Sequence, residues 1–230
     1  MEIIAHRIVN SDINTQEKLS EILLKIRKRG IEIVEFDIQQ TKDEEFVVYH
    51  DRRLSDSDYN INDCTLYNLK KEGQEKNFSF LTLEETLKII SEDFRIQIDV
   101  KNSETNIDKL LGIIDSFQIS ERIIASSFYP QIISKLSGSK IKKRWLLTSI
   151  SRRRNPTHIF YALSPIRTAI SCLANGIAPH QSLVTKKIIK KAHKKGLTVA
   201  IWTVNDKKLE KKFGSWGADY IIKDTNISEA

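Results

Sequence analysis

Two carboxylates, Glu35 and Asp37, stand two residues apart in Ile31-Glu32-Ile33-Val34-Glu35-Phe36-Asp37-Ile38. This short run is rich in β-branched residues and predicts a strand. Side chains alternate across a strand, so the two carboxylates share one face. Neighbouring carboxylates repel unless a cation or solvent separates them. The pair is therefore a candidate platform for a divalent metal. His6-Arg7 upstream and His50-Asp51 downstream bring two histidines within sequence reach of it.

A second charged strand follows. Arg95-Ile96-Gln97-Ile98-Asp99-Val100-Lys101 puts Asp99 and Lys101 on one face and Ile96, Ile98 and Val100 on the other. Buried charges are costly unless paired or bound to metal. Carboxylates without cysteine favour a hard cation, Mg2+ or Ca2+. Arg7 and Lys101 suit a phosphate. His6 and His50 suit general acid and base chemistry near neutral pH. Together they predict metal-assisted phosphate-ester chemistry. Singly, each residue has a plainer reading. A histidine at a strand end is commonly structural, a Glu-x-Asp pair is common on exposed edges, and Asp99 with Lys101 can be an ordinary salt bridge. The joint placement at successive strand ends favours chemistry.

The elements that position them alternate. Strand-like runs lie near 2–6, 32–38, 95–101, 122–127, 143–148, 176–180, 198–204 and 219–223. Helical patterns lie at 15–29, 82–91, 105–117, 130–137, 157–173, 184–195 and 206–214. Thr82 with Glu85 forms a capping box, and Gly30 and Gly196 read as helix C-caps. Eight strands with intervening helices in 230 residues predict one domain, a (β/α)8 barrel, with a doubly wound sheet as the competitor. The segment from about 39 to 81 breaks the rhythm. Phe46-Val47-Val48-Tyr49 suits a hairpin strand, and the polar stretch 51–80 reads as an irregular insertion after the second strand, at the catalytic end.

Composition sets the outer limits. Apolar residues make up 40% and charged residues 29%, as in a soluble globular protein. No apolar run reaches the roughly 20 residues of a membrane span, and the N-terminus lacks the basic start of a signal peptide. The two cysteines, Cys64 and Cys172, form no metal spacing, which predicts a reducing cytoplasm. The net charge of +7 includes Lys186-Lys187, Lys190-Lys191 and Lys194-Lys195 on one helix and the turn Arg152-Arg153-Arg154. A solvated exterior accounts for these more simply than an anion-binding patch. No aromatic-basic stripe supports nucleic-acid binding.

Ile4-Ala5-His6-Arg7, Glu35-Phe36-Asp37, Thr41-Lys42-Asp43 and Val47-Val48-Tyr49-His50-Asp51 resemble the glycerophosphodiester phosphodiesterase family. The resemblance continues through Leu81 to Glu85, Ile98-Asp99-Val100-Lys101, Ser126-Ser127-Phe128, Gly196 to Asn205 and Gly217 to Asp224. It implies a (β/α)8 barrel that hydrolyses glycerophosphodiesters to glycerol phosphate and an alcohol with a divalent cation. It matches Glu35, Asp37 and Asp99 to metal ligands, and His6 and His50 to the acid/base pair. Arg7 and Lys101 match phosphate-binding positions, and Phe128 and Trp202 match aromatic positions near the glycerol pocket. Four places depart from the family's pattern. Ile8 replaces a glycine, Asp12-Ile13-Asn14-Thr15 replaces Pro-Glu-Asn-Thr, Asp99 replaces a glutamate, and Ser55-Asp56-Ser57 replaces a basic segment. Alternatives are a phosphodiesterase acting on a lysophospholipid or a polymer such as teichoic acid, and a non-catalytic barrel that binds phosphate ligands. The alcohol, the choice of cation and the oligomeric state stay open.

Overall fold

A computed structural model describes residues 1–10, 13–54, 59–90, 92–150 and 157–224. Asp12, Ser55-Asp56-Ser57 and Arg152-Arg153-Arg154 lie outside the described residues. Eight strands run parallel: β1 (Glu2–His6), β2 (Ile33–Gln40), β4 (Arg95–Val100), β5 (Ile123–Ser127), β6 (Lys143–Thr148), β7 (Gly176–Pro179), β8 (Thr198–Ile201) and β9 (Tyr220–Asp224). Pairing of β1 with both β9 and β2 closes them into a (β/α)8 barrel. One further strand, β3 (Phe46–Val48), runs antiparallel to β2 as a hairpin.

Helices α1 (Gln16–Lys28), α3 (Leu83–Ile89), α4 (Ile107–Ser116), α5 (Pro130–Lys135), α8 (Lys186–His193) and α9 (Lys207–Trp216) follow the periodic patterns. Short polar side chains start most of them. Thr15, Asn106, Thr185 and Asp206 accept first-turn amides, and Thr82 with Glu85 completes a capping box on α3. Leu19, Ile22, Leu23 and Ile26 of α1 pack in one cluster with Val34, Phe36 and Ile38, the outward face of β2. The inward face is separate. Ile4, Ile33, Ile124, Trp145, Ala178, Ala200, Tyr220 and Ile222 plug the barrel interior, leaving the charged residues for the layer at the strand C-terminal ends.

Two expectations need correction. Residues 61–80 are not irregular: α2 (Leu66–Glu75) is capped by Thr65, and its Leu69 packs with Val47, Leu54, Ile61 and Phe80 in a small core of its own. Leu66, Tyr67 and Leu69, crowded into its first turn, are its only large apolar residues, too few to mark a helix among Lys, Glu and Gln. The long pattern at 157–173 divides into α6 (Thr157–Leu163) and α7 (Pro165–Ser171). Pro165 supplies no backbone N–H and restricts Ser164 before it, so one helix cannot run through.

The barrel base is closely filled. A Cβ on Gly176 would fall inside van der Waals contact of the Trp145 indole and the Thr198 hydroxyl. Gly176→Ala is therefore expected to cost about 1–3 kcal/mol, read as a lower denaturant midpoint at unchanged slope. No described helix is long and apolar enough to cross a membrane.

Candidate active site

The strand register assembles the carboxylates. Asp37 pairs with Asp99 across β2 and β4, and Glu35 sits two residues below Asp37 on the same inward face. All three are buried. One oxygen from each falls within a sphere in which no two are more than 4.8 Å apart. Lys101, just past β4, places Nζ 2.6 Å from Asp37 Oδ1 and 2.5 Å from Asp99 Oδ2. Burial disfavours both charges in the Asp37–Lys101 pair, and their attraction outweighs it. Asp37 is held well below the usual carboxylate range and Lys101 above the usual ammonium range. Glu35 has no lysine beside it, and the attraction of His6 is too weak to offset its surroundings. Burial and then the Asp37 charge push its pKa up to about 7.

The histidines approach from opposite sides. His6 ends β1, and its Nδ1 donates to Asp224 Oδ1 at 2.6 Å, leaving Nε2 3.9 Å from Glu35 Oε2. Burial opposes its charge, but Glu35 and Asp224 outweigh burial and raise its pKa. His50 lies beyond β3, and its Nδ1 donates to Asp51 Oδ1 at 2.7 Å. Here burial lowers the pKa to about 4; Asp37 opposes the shift, while Lys101 and Arg7 reinforce it. Each aspartate fixes its ring with Nδ1 protonated and Nε2 on the other edge. The two rings thus hold opposite protonation preferences, the arrangement an acid/base pair requires.

Arg7 follows β1 in the left-handed region, at φ 49°. Its amide donates to Glu35 Oε2 at 2.8 Å, and its Nε lies 3.5 Å from Asp37 Oδ2. Phe128 and Trp202 meet edge to face at 5.6 Å. The indole N–H donates to Ala178 O at 2.7 Å, which fixes the ring. His6, Arg7, Glu35, Asp37, His50, Asp99, Lys101, Phe128 and Trp202, the nine residues singled out from sequence, all line one cavity. It measures about 20 Å³, room for an ion or one water.

The residues fit a divalent cation. Three buried oxygen donors converge, the donor set is hard, and Asp37 Oδ2 accepts no hydrogen bond among the described residues. A cation there would also offset the burial and the carboxylate repulsion that together raise the Glu35 pKa.

Comparison with known proteins agrees with this geometry. The glycerophosphoryl diester phosphodiesterase family model matches residues 21–226. The chain belongs to that family. It is thereby a phosphodiesterase. It is 25% identical over 240 residues to a glycerophosphodiester phosphodiesterase of Caldanaerobacter subterraneus, covering 96% of this chain and 93% of the relative. A Bacillus altitudinis enzyme of the same name is 27% identical over 213 residues, 85% of this chain and 83% of its own. A solved phosphodiesterase from Oleispira antarctica, in complex with the product sn-glycerol-3-phosphate, shares the fold. Its TM-score is 0.76 at 22% identity, over 97% of this chain and 93% of that one.

The phosphodiesterase pattern has glycine where this chain has Ile8. Arg7, not Ile8, takes the positive φ, so the β-branched residue is accommodated and buried. The shorter Asp99 still joins the carboxylate cluster. Three contributors escaped the sequence reading. Asp51 and Asp224 orient the histidines. Gln39 donates from Nε2 to Tyr49 O at 3.1 Å and Asp51 O at 2.6 Å, clamping the His50 loop to β2. Gln39 continues the inward alternation of Glu35 and Asp37, a signal that was available. The partnership of Asp224 with His6 joins the last strand to the first and had none.

Proposed function

We propose that the protein hydrolyses glycerophosphodiesters to glycerol 3-phosphate and an alcohol, with Mg2+ or Ca2+ held by Glu35, Asp37 and Asp99. The observation that carries this is the buried three-carboxylate cluster between two histidines of opposed proton affinity. When bound, the cation supplies Lewis-acid polarisation of a phosphoryl oxygen. Arg7 and Lys101 balance the diester's negative charge. Phe128 and Trp202 form an apolar wall for the glycerol carbons. His50, neutral near pH 7, accepts the proton of the attacking water at Nε2. His6, the more basic ring, gives its Nε2 proton to the departing alcohol oxygen. We assign the enzyme to the cytoplasm and to the breakdown of deacylated lipids, with a small-molecule substrate and no nucleic-acid partner.

The test is release of glycerol 3-phosphate from glycerophosphocholine and glycerophosphoethanolamine, with added Mg2+ or Ca2+ and with chelator. Release that depends on cation is expected. Ligand binding with no product under any cation returns the non-catalytic reading.

A further inference from the structure

We propose that the flank built from α6, α7 and α8 docks the protein on an anionic lipid bilayer. The charge distribution comes first. Residues 122–205 contain sixteen Lys and Arg and no Asp or Glu. That excess is larger than the net charge of +7, so the rest of the chain is net negative. The cations concentrate on α8 and its end, where Lys186, Lys187, Lys190, Lys191, Lys194 and Lys195 are all exposed. Among the described residues none of the six forms an ion pair.

Apolar side chains stand in the same flank. Phe160 and Leu163, one turn apart on α6, are 70% and 72% exposed. Ile170 on α7 and Leu173 just beyond it are 46% and 59% exposed. Between α7 and α8 an open groove of about 650 Å³ is lined by Leu163, Ile170 and Ile188, and among the described residues its charged wall residues are Arg167, Lys191, Lys194 and Lys195. Exposed apolar groups ringed by cations suit a surface with acidic headgroups above an acyl layer. A nucleic acid meets the lysines but leaves Phe160 and Leu163 in water. A second copy of this chain brings the same positive patch and is repelled.

Each lysine near an anionic bilayer strengthens binding by about fivefold. Flotation of the full chain with phosphatidylcholine vesicles, alone or mixed with phosphatidylglycerol, tests this. Binding is expected only to the mixed vesicles, weakening with salt. Lys191→Gln, Lys194→Gln and Lys195→Gln together lower it on the order of a hundredfold. Phe160→Ser with Leu163→Ser removes the part that survives high salt. Both variants keep the native circular dichroism and the native diester activity, since none of these residues lines the barrel mouth. Absence of binding to the mixed vesicles overturns the proposal, as does undiminished binding by both variants. Duplex DNA binding of equal strength that Phe160→Ser with Leu163→Ser leaves intact also overturns it, making the flank a nucleic-acid surface.

Discussion

Replacing His50 by alanine is expected to slow diester cleavage by about 10²–10⁴-fold, the range typical for a lost general base. In the proposed mechanism His50 acts on the attacking water, so the effect falls on kcat. The pH profile gives the sharper readout. A base must be unprotonated, so the acid limb follows His50, whose pKa is lowered to about 4 mainly by burial, with Lys101 and Arg7 reinforcing it. An acid must be protonated, so the alkaline limb follows His6, raised by Glu35 and Asp224 against its burial. A cation held by Glu35, Asp37 and Asp99 would disfavour the charged form of each ring and so move both limbs downward. His50→Ala removes the acid limb, and His6→Ala removes the alkaline limb. Asp224→Asn, which weakens the hold on His6, lowers the alkaline limb while leaving the acid limb in place. Two variants with native rates and native profiles would falsify the acid/base assignment.

Glu35→Gln is expected to make the cation-free protein more stable than the native chain at pH 8, and to abolish stabilisation by Mg2+ or Ca2+. Unfolded, Glu35 titrates near 4.5; folded, burial and Asp37 raise it to about 7. The folded state therefore binds the extra proton between these values, and stability falls as pH rises through that window. The whole shift corresponds to roughly 3 kcal/mol. Glutamine fills the same space without a charge and removes that slope. In chelator, the melting difference between variant and native chain grows between pH 5 and pH 8, by about 2–4 °C per kcal/mol in a chain of this size. Excess cation reverses the order. At a hundred times its Kd it stabilises the native protein by about 2.7 kcal/mol, and the variant, short of one ligand, gains little. A pH-independent difference in chelator contradicts the buried-carboxylate account. A cation-induced melting shift in the variant equal to the native one removes Glu35 from the ligand set.

The legible parts were those whose signal is local. Glu35 and Asp37 interrupt an otherwise apolar parallel strand, and Asp99 and Lys101 interrupt another, so the charge stands out against its surroundings. The capping box at Thr82 and Glu85 needed only four residues and formed as read. Helix α2 was missed because its stability comes from packing Leu69 against Leu54, Ile61 and Phe80, residues scattered to either side of it. The break before Pro165 carried its own signal in the Ser-Pro pair, outweighed by the apolar periodicity around it.

By itself the sequence determined the kinds of element, their order, the inward faces of β2 and β4, and the chemical types available at their ends. Alternation and helical period are properties of the backbone, so they survive without knowledge of partners. Only the tertiary structure decided what each charge meets. Closure of β1 on β9 gives His6 its aspartate, the β2–β4 register gives Asp37 its lysine, and Glu35 is left between them without one. Protonation depends on distance and burial rather than residue type. The same two histidines, alike in sequence, acquire opposite proton affinities only once the barrel has closed around them.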